Sequence, residues 1–152
     1  MKKKITIPEI LATKGTDRKF TMVTCYDYTS AKLLDMSDVD AALIGDSLGM
    51  VMCGMNGTVG VTLDQVFYHT KMVVKGAPNT FVIGDMPFGT YNGSIEKAIE
   101  NASRLFAEGG CDAIKMEGKA TLPKYVEAVV NAGIPVVAHI GLTPQAAAMM
   151  GG

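Results

Sequence analysis

The stretches AALIGDSLGM, residues 41–50, and FVIGDMPFG, residues 81–89, share one ending: each apolar run closes on Ile-Gly-Asp. The aspartates are Asp46 and Asp85. Short apolar, partly β-branched runs bounded by glycine read as buried strands. A lone aspartate just past such a strand commonly caps the next helix or forms the turn into it. Two in equivalent places can also hold one ion between them.

Outward from these two stretches, apolar runs alternate with segments of helical period, a pattern that predicts parallel β/α units. Strands are expected at residues 21–26, 41–45, 80–85, 113–117 and 135–139. Helical spacing occupies TSAKLLDM, LDQVFYHTKMVVKG, SIEKAIENASRLFAEGG and TLPKYVEAVVNAG, with Ser94 and Thr121 placed as N-caps. Residues 47–62, SLGMVMCGMNGTVGVT, form a long Gly- and Met-rich connection, expected to be a lid or a substrate-facing loop. Five β/α units suit either a five-stranded doubly wound sheet or part of a (β/α)8 TIM barrel, whose full form needs ~250 residues. The ending HIGLTPQAAAMMGG stops in a Gly-rich connection, which suggests a truncated chain, with residues 1–152 as a single domain and both architectures open.

Composition narrows the function. Fourteen basic residues against fifteen acidic ones leave a net charge of -1 and no basic stripe, so nucleic acid is not an expected partner. No apolar run approaches the ~20 residues of a membrane span, and MKKKITIPEI lacks the apolar core of a secretory signal. The three leading lysines read as a solvated tail. Cys25, Cys53 and Cys111 show no paired spacing and read as reduced cytosolic thiols.

The chemistry lies at the strand ends. Asp46, Asp85 and Glu117 end three successive strands, and parallel strands put those ends on one face at ~4.8 Å spacing. Three carboxylates that close repel one another unless a cation sits among them, and oxygen-only donors favour a hard ion such as Mg²⁺ over Zn²⁺. Lys115, two residues before Glu117, points the same way along its strand. The plainer readings are a cap or turn for each aspartate and a solvated lysine at the strand end. Asp27 suits a cap, His69 a structural role, and His139 a hydrogen bond to a neighbour.

Six strings, TCYDYTSAKL, IGDSLGMVMCG, YHTKMVVKGAPN, GDMPFGTY, AIKMEG and AHIGLTPQ, follow one another across the chain. In order and spacing they resemble the ketopantoate hydroxymethyltransferase family. The resemblance implies an α/β (β/α)8 TIM barrel of the phosphoenolpyruvate/pyruvate superfamily. It also implies hydroxymethyl transfer from methylenetetrahydrofolate to 3-methyl-2-oxobutanoate through an Mg²⁺-stabilised enolate, in pantothenate and coenzyme A biosynthesis. By the same resemblance Asp46, Asp85 and Glu117 stand at the metal, and Asp46, Ser47, Asp85 and Lys115 at the α-keto acid. The family's general-base glutamate is expected beyond the C-terminus, so that a 152-residue chain carries the metal half of the site without the base. A cytoplasmic homo-oligomer, typically decameric, completes the expectation. A related Mg²⁺-enolate lyase or mutase, or a non-catalytic assembly module, are the alternatives.

Overall fold

A computed structural model describes residues 2–151. The chain enters through helix α1 (Ile7–Ala12), a short element the apolar periodicity does not predict. Its start is nonetheless specified: Thr6 accepts from Glu9 N while the Glu9 carboxylate accepts from Thr6 N at 2.7 Å, a capping box with proline in the first turn. Of the lysines before it, Lys3 is solvated as expected, but Lys2 and Lys4 are not. Lys2 Nζ donates to Val39 O and Thr80 Oγ1, and Lys4 Nζ lies 2.8 Å from Asp112 Oδ2. Asp112 Oδ2 also accepts from Val82 N, so the N-terminal segment is tied across the sheet.

Strands β1 (Met22–Thr24), β2 (Ala41–Ile44), β3 (Phe81–Asp85), β4 (Ala113–Glu117) and β5 (Val136–His139) form one all-parallel sheet in sequential order. That order decides between the two architectures. A doubly wound sheet reverses its strand order at a switch point, whereas a barrel adds each new strand beside the last. The first strand is shorter than the expected 21–26, because Asp40 draws Thr21 N into a side-chain hydrogen bond of 2.9 Å.

The helices α2 (Tyr28–Asp35), α3 (Leu48–Val51), α4 (Leu63–Gly76), α5 (Ile95–Ser103) and α6 (Leu122–Asn131) follow the strands. Ile44, Val66, Val73, Val82, Leu105, Ile114, Met116 and Val129 are buried in the main core that the helices share with the sheet. Strand alternation sends Ala41, Phe81, Ile83 and Ala113 to the other face, where Ile5 and Ile10 of the N-terminal segment pack against them. Lys115 and Glu117 share the parity of Ala113, so the same alternation that fills this second cluster delivers charged side chains to its C-terminal end.

One local expectation needs correction. Thr121 precedes α6 but makes no capping hydrogen bond, since it sits in helical φ/ψ; Ser94 does cap α5, accepting from Lys97 N. Residues 47–62 are partly ordered by their own contacts. They hold α3, and Leu48, Gly49, Thr58 and Val61 are buried. A Cβ on Gly49 would fall 2.5 Å from Val61 Cγ2, which shows how closely the segment folds back on itself.

Gly76, the last residue of α4, allows α2 to approach: a Cβ there would lie 2.6 Å from Tyr28 O and 2.7 Å from Ala31 Cβ. Helix propensity alone would favour alanine by ~1 kcal/mol, but a backbone oxygen cannot step aside as a side-chain tip can. We expect Gly76→Ala to lower stability by about 1–3 kcal/mol, read as a lower denaturation midpoint. An unchanged or raised midpoint would contradict the tight α2–α4 contact.

Candidate active site

Register aligns the functional side chains. Asp85 pairs with Lys115 across β3 and β4, and Glu117 pairs with His139 across β4 and β5, so their side chains emerge level at the C-terminal end of the sheet. Asp46 stands just past β2 and meets them through its backbone, whose N–H donates to Asp85 Oδ2 at 3.1 Å. Together with Ser47, Met50, Thr58 and His139 these residues line a pocket of about 510 Å³.

The cluster is buried and acidic. Lys115 Nζ lies 2.8 Å from Asp85 Oδ1 and 3.7 Å from Glu117 Oε2, so two of the three carboxylates share one ammonium. Asp85 is 1% exposed, and its Oδ1 has no hydrogen-bond donor: Lys115 is close enough for an ion pair but off the line of a hydrogen bond. Burial pushes the Asp85 carboxyl up to about 7; Lys115 opposes that rise and Asp46 adds to it. Burial likewise raises Asp46, with the Gln145 hydrogen bond and Lys115 pulling the other way. Glu117 accepts from Gln145 N at 2.7 Å through Oε1 and lies 3.2 Å from His139 Nδ1 through Oε2.

These contacts refine the expected triad. Among the described residues, no three His, Cys, Asp or Glu side chains gather as a ready metal-ligand set. Glu117 is held by Gln145 N and His139 on its two oxygens, and Lys115 stands between Glu117 and Asp85. Asp46 has Oδ1 to give, and Asp85 has Oδ1, which Lys115 alone holds as an ion pair at 2.8 Å. A cation with few protein ligands fits this donor set, because Mg²⁺ characteristically uses one or two carboxylates and keeps several water or substrate oxygens. Such an ion would share the buried Asp85 Oδ1 with the Lys115 ammonium.

Ser47 Oγ lies 2.8 Å from the Tyr26 hydroxyl at the edge of the pocket. Asp27 is the cap of α2, accepting from Ser30 N and Ser30 Oγ, and takes no part in the cluster. His69 Nδ1 is 2.6 Å from Tyr26 O; a carbonyl only accepts, so Nδ1 carries the proton and the ring supports the loop beneath Ser47. Two residues of the site escape the sequence reading, Gln145 and Tyr91. The Gln145 amide touches Asp46 and Met86 O, and the Tyr91 hydroxyl touches the Glu117 backbone. AHIGLTPQ ends on Gln145, but nothing local in that string announces a contact 99 residues away.

The raised Asp85 carboxyl makes stability depend on pH. Its folded pKa of about 7 exceeds the ordinary value of 3.8, so between those values the folded chain holds a proton that the unfolded chain has released. The associated stability is fully present below pH ~4 and lost as pH rises through ~7, about 4 kcal/mol at most. Urea denaturation without divalent cations is expected to give a smaller unfolding free energy at pH 8 than at pH 5. A larger value at pH 8 would contradict the buried, raised carboxyl.

Among the described residues, no helix is long and apolar enough to cross a membrane. The fold is shared with a solved member of the PEP mutase/isocitrate lyase superfamily. A 2,3-dimethylmalate lyase of that superfamily superposes with a TM-score of 0.62 at 22% identity, over 79% of this chain and 47% of its own. A phosphonopyruvate hydrolase, solved with oxalate and Mg²⁺, superposes with a TM-score of 0.66 at 14% identity, over 80% of this chain and 47% of its own. In sequence, the chain is 53% identical to the 3-methyl-2-oxobutanoate hydroxymethyltransferase of Heliobacterium modesticaldum, over 100% of this chain and 55% of that protein. The chain thus spans about half the length of the curated relatives it matches. The family model for ketopantoate hydroxymethyltransferase matches residues 4–152, and the chain belongs to the ketopantoate hydroxymethyltransferase family.

Proposed function

We infer that this chain supplies the cation and α-keto-acid site of a hydroxymethyltransferase that transfers a one-carbon unit from methylenetetrahydrofolate to 3-methyl-2-oxobutanoate. The observation that carries the reading is the buried carboxylate pair Asp46 and Asp85 with Lys115 against it, at the C-terminal end of a barrel sheet. Family membership supports the substrate, and a phosphonopyruvate hydrolase of the same fold is solved in complex with oxalate and Mg²⁺. A cytoplasmic homo-oligomer accords with the family and belongs to the same proposal.

Asp46 and Asp85 hold Mg²⁺ in this reading, with Glu117 as the third acidic group behind them. When bound, Mg²⁺ supplies Lewis-acid polarisation of the keto oxygen and so acidifies the neighbouring C–H. Lys115 presents its ammonium to the charge that develops on the substrate oxygen, in a pocket where burial strengthens the effect. Ser47, with Tyr26 at 2.8 Å, offers a hydroxyl to the substrate carboxylate. Glu117 and Asp85 hold the ammonium in place from two sides. No residue of this chain is assigned as the base that removes the C3 proton.

Mn²⁺ in place of Mg²⁺ makes this testable by proton relaxation. The methyl protons of 3-methyl-2-oxobutanoate should relax faster with chain and Mn²⁺ together than with either alone, and excess Mg²⁺ should reverse the effect. The keto-free 3-methylbutanoate should show little enhancement. Equal enhancement for both acids, or a stronger response from phosphonopyruvate, would overturn the substrate assignment.

A further inference from the structure

Gln145 is buried on the 3-10 segment Pro144–Met150 that follows β5, with its side chain inside the carboxylate cluster. Nε2 donates to Asp46 Oδ2 at 2.9 Å and to Met86 O at 3.0 Å, and the Tyr91 hydroxyl lies 2.8 Å from Oε1. A carbonyl oxygen only accepts, so Met86 O fixes the amide with its nitrogen toward Asp46 and its oxygen toward Tyr91. Tyr91 is anchored in turn, its hydroxyl 2.6 Å from Glu117 O on β4. The Gln145 side chain therefore has one orientation, and that orientation occupies one oxygen of Asp46.

Resting on the reading of Asp46 as a cation ligand, we propose that Gln145 is a positioning residue that sets which divalent cation the site accepts. With Oδ2 held by the amide, Asp46 has Oδ1 alone to give. A carboxylate that gives one oxygen suits Mg²⁺, a small octahedral ion with ligands at ~2.0–2.1 Å. Ca²⁺, at ~2.3–2.6 Å with six to eight oxygens, takes carboxylates through one oxygen or both, and fills its larger shell more readily with those that give both. For Ca²⁺ to gain the second oxygen, the Gln145 hydrogen bond must break inside a buried cluster, leaving the amide without its acceptor. Gln145 is neutral, so its effect falls on the choice between ions of equal charge rather than on attraction of cations in general.

The test is calorimetric titration of the full chain with MgCl₂ and with CaCl₂, in wild type and Gln145→Met. Methionine keeps the length and the approximate volume but has no donor. The ratio of Mg²⁺ to Ca²⁺ affinity is expected to fall about 10-fold in the variant, in keeping with the effect of ligand-orienting neighbours on metal sites. Equal weakening of both ions, the mark of a merely structural role, would overturn the proposal. If wild type bound neither ion in a way that Asp46→Ala abolished, the underlying cation assignment would fail and the selectivity claim with it. A crystal of the wild-type chain with Mg²⁺ decides the point even if the variant does not fold. Asp46 should coordinate through one oxygen with Gln145 Nε2 still on the other, and a two-oxygen Asp46 would overturn the proposal.

Discussion

Asp85→Ala is expected to weaken Mg²⁺ binding by more than about 100-fold, roughly 3 kcal/mol at 1.4 kcal/mol per decade. Asp85 is the most deeply buried carboxylate of the cluster, and its Oδ1 is held by the Lys115 ion pair alone, so its removal takes away the most deeply buried ligand of the proposed site. The same substitution should flatten the fall in stability between pH 5 and pH 8, because that fall originates in the Asp85 carboxyl held at about 7. The two effects are separable. Calorimetry reads the first, and denaturation at the two pH values reads the second. A variant that kept the pH dependence but lost the metal would move the raised titration to a neighbour, Asp46 being the nearest acid that burial also raises.

Lys115→Met should act in the opposite sense on the cation. Lys115 competes for Asp85 Oδ1 at 2.8 Å, so its removal should leave Mg²⁺ affinity unchanged or tighter, while affinity for the α-keto acid falls more than about 10-fold. Stability should suffer at high pH. Lys115 pulls the Asp85 pKa down, so without it that pKa rises further. A carboxylate with a raised folded pKa contributes its stability below the unfolded value and loses it as pH rises through the folded one. Breaking a buried pair by removing one partner costs about 3–5 kcal/mol. We expect a loss of that order at pH 8, where the carboxylates are left to repel one another, and a much smaller loss at pH 5. Equal destabilisation at both pH values would indicate lost packing in place of lost charge.

The site was legible in the sequence where its residues sit on regular elements. Asp85 and Glu117 end strands, Lys115 lies two residues inside its strand and Asp46 just past its own, and strand parity plus the one-unit spacing of a parallel sheet is enough to bring them to one end. The choice of barrel over doubly wound sheet was not legible from periodicity, because both alternate strand and helix; the sequential strand order decides it. Gln145 and Tyr91 were missed because both lie outside the strands and α-helices, Gln145 on a short 3-10 turn and Tyr91 in a loop, where no apolar period constrains direction, and reach the cluster through long-range contacts. Thr6, Pro8 and Glu9 did carry a local signal, the capping box, but α1 is too short to show an apolar face. The anchoring of Lys2 and Lys4 rests on Val39, Thr80 and Asp112, partners that only the folded sheet assembles.

In the proposed function, Asp46, Asp85 and Lys115 together form a cation-dependent site for a small α-keto acid. The decisive measurement is calorimetric titration of 3-methyl-2-oxobutanoate into the chain, first with Mg²⁺ and then with EDTA. Binding is expected with Mg²⁺, abolished by EDTA and absent in Asp85→Ala. Binding of equal strength in both conditions, or none by a chain that circular dichroism shows to be folded, would contradict the proposed function.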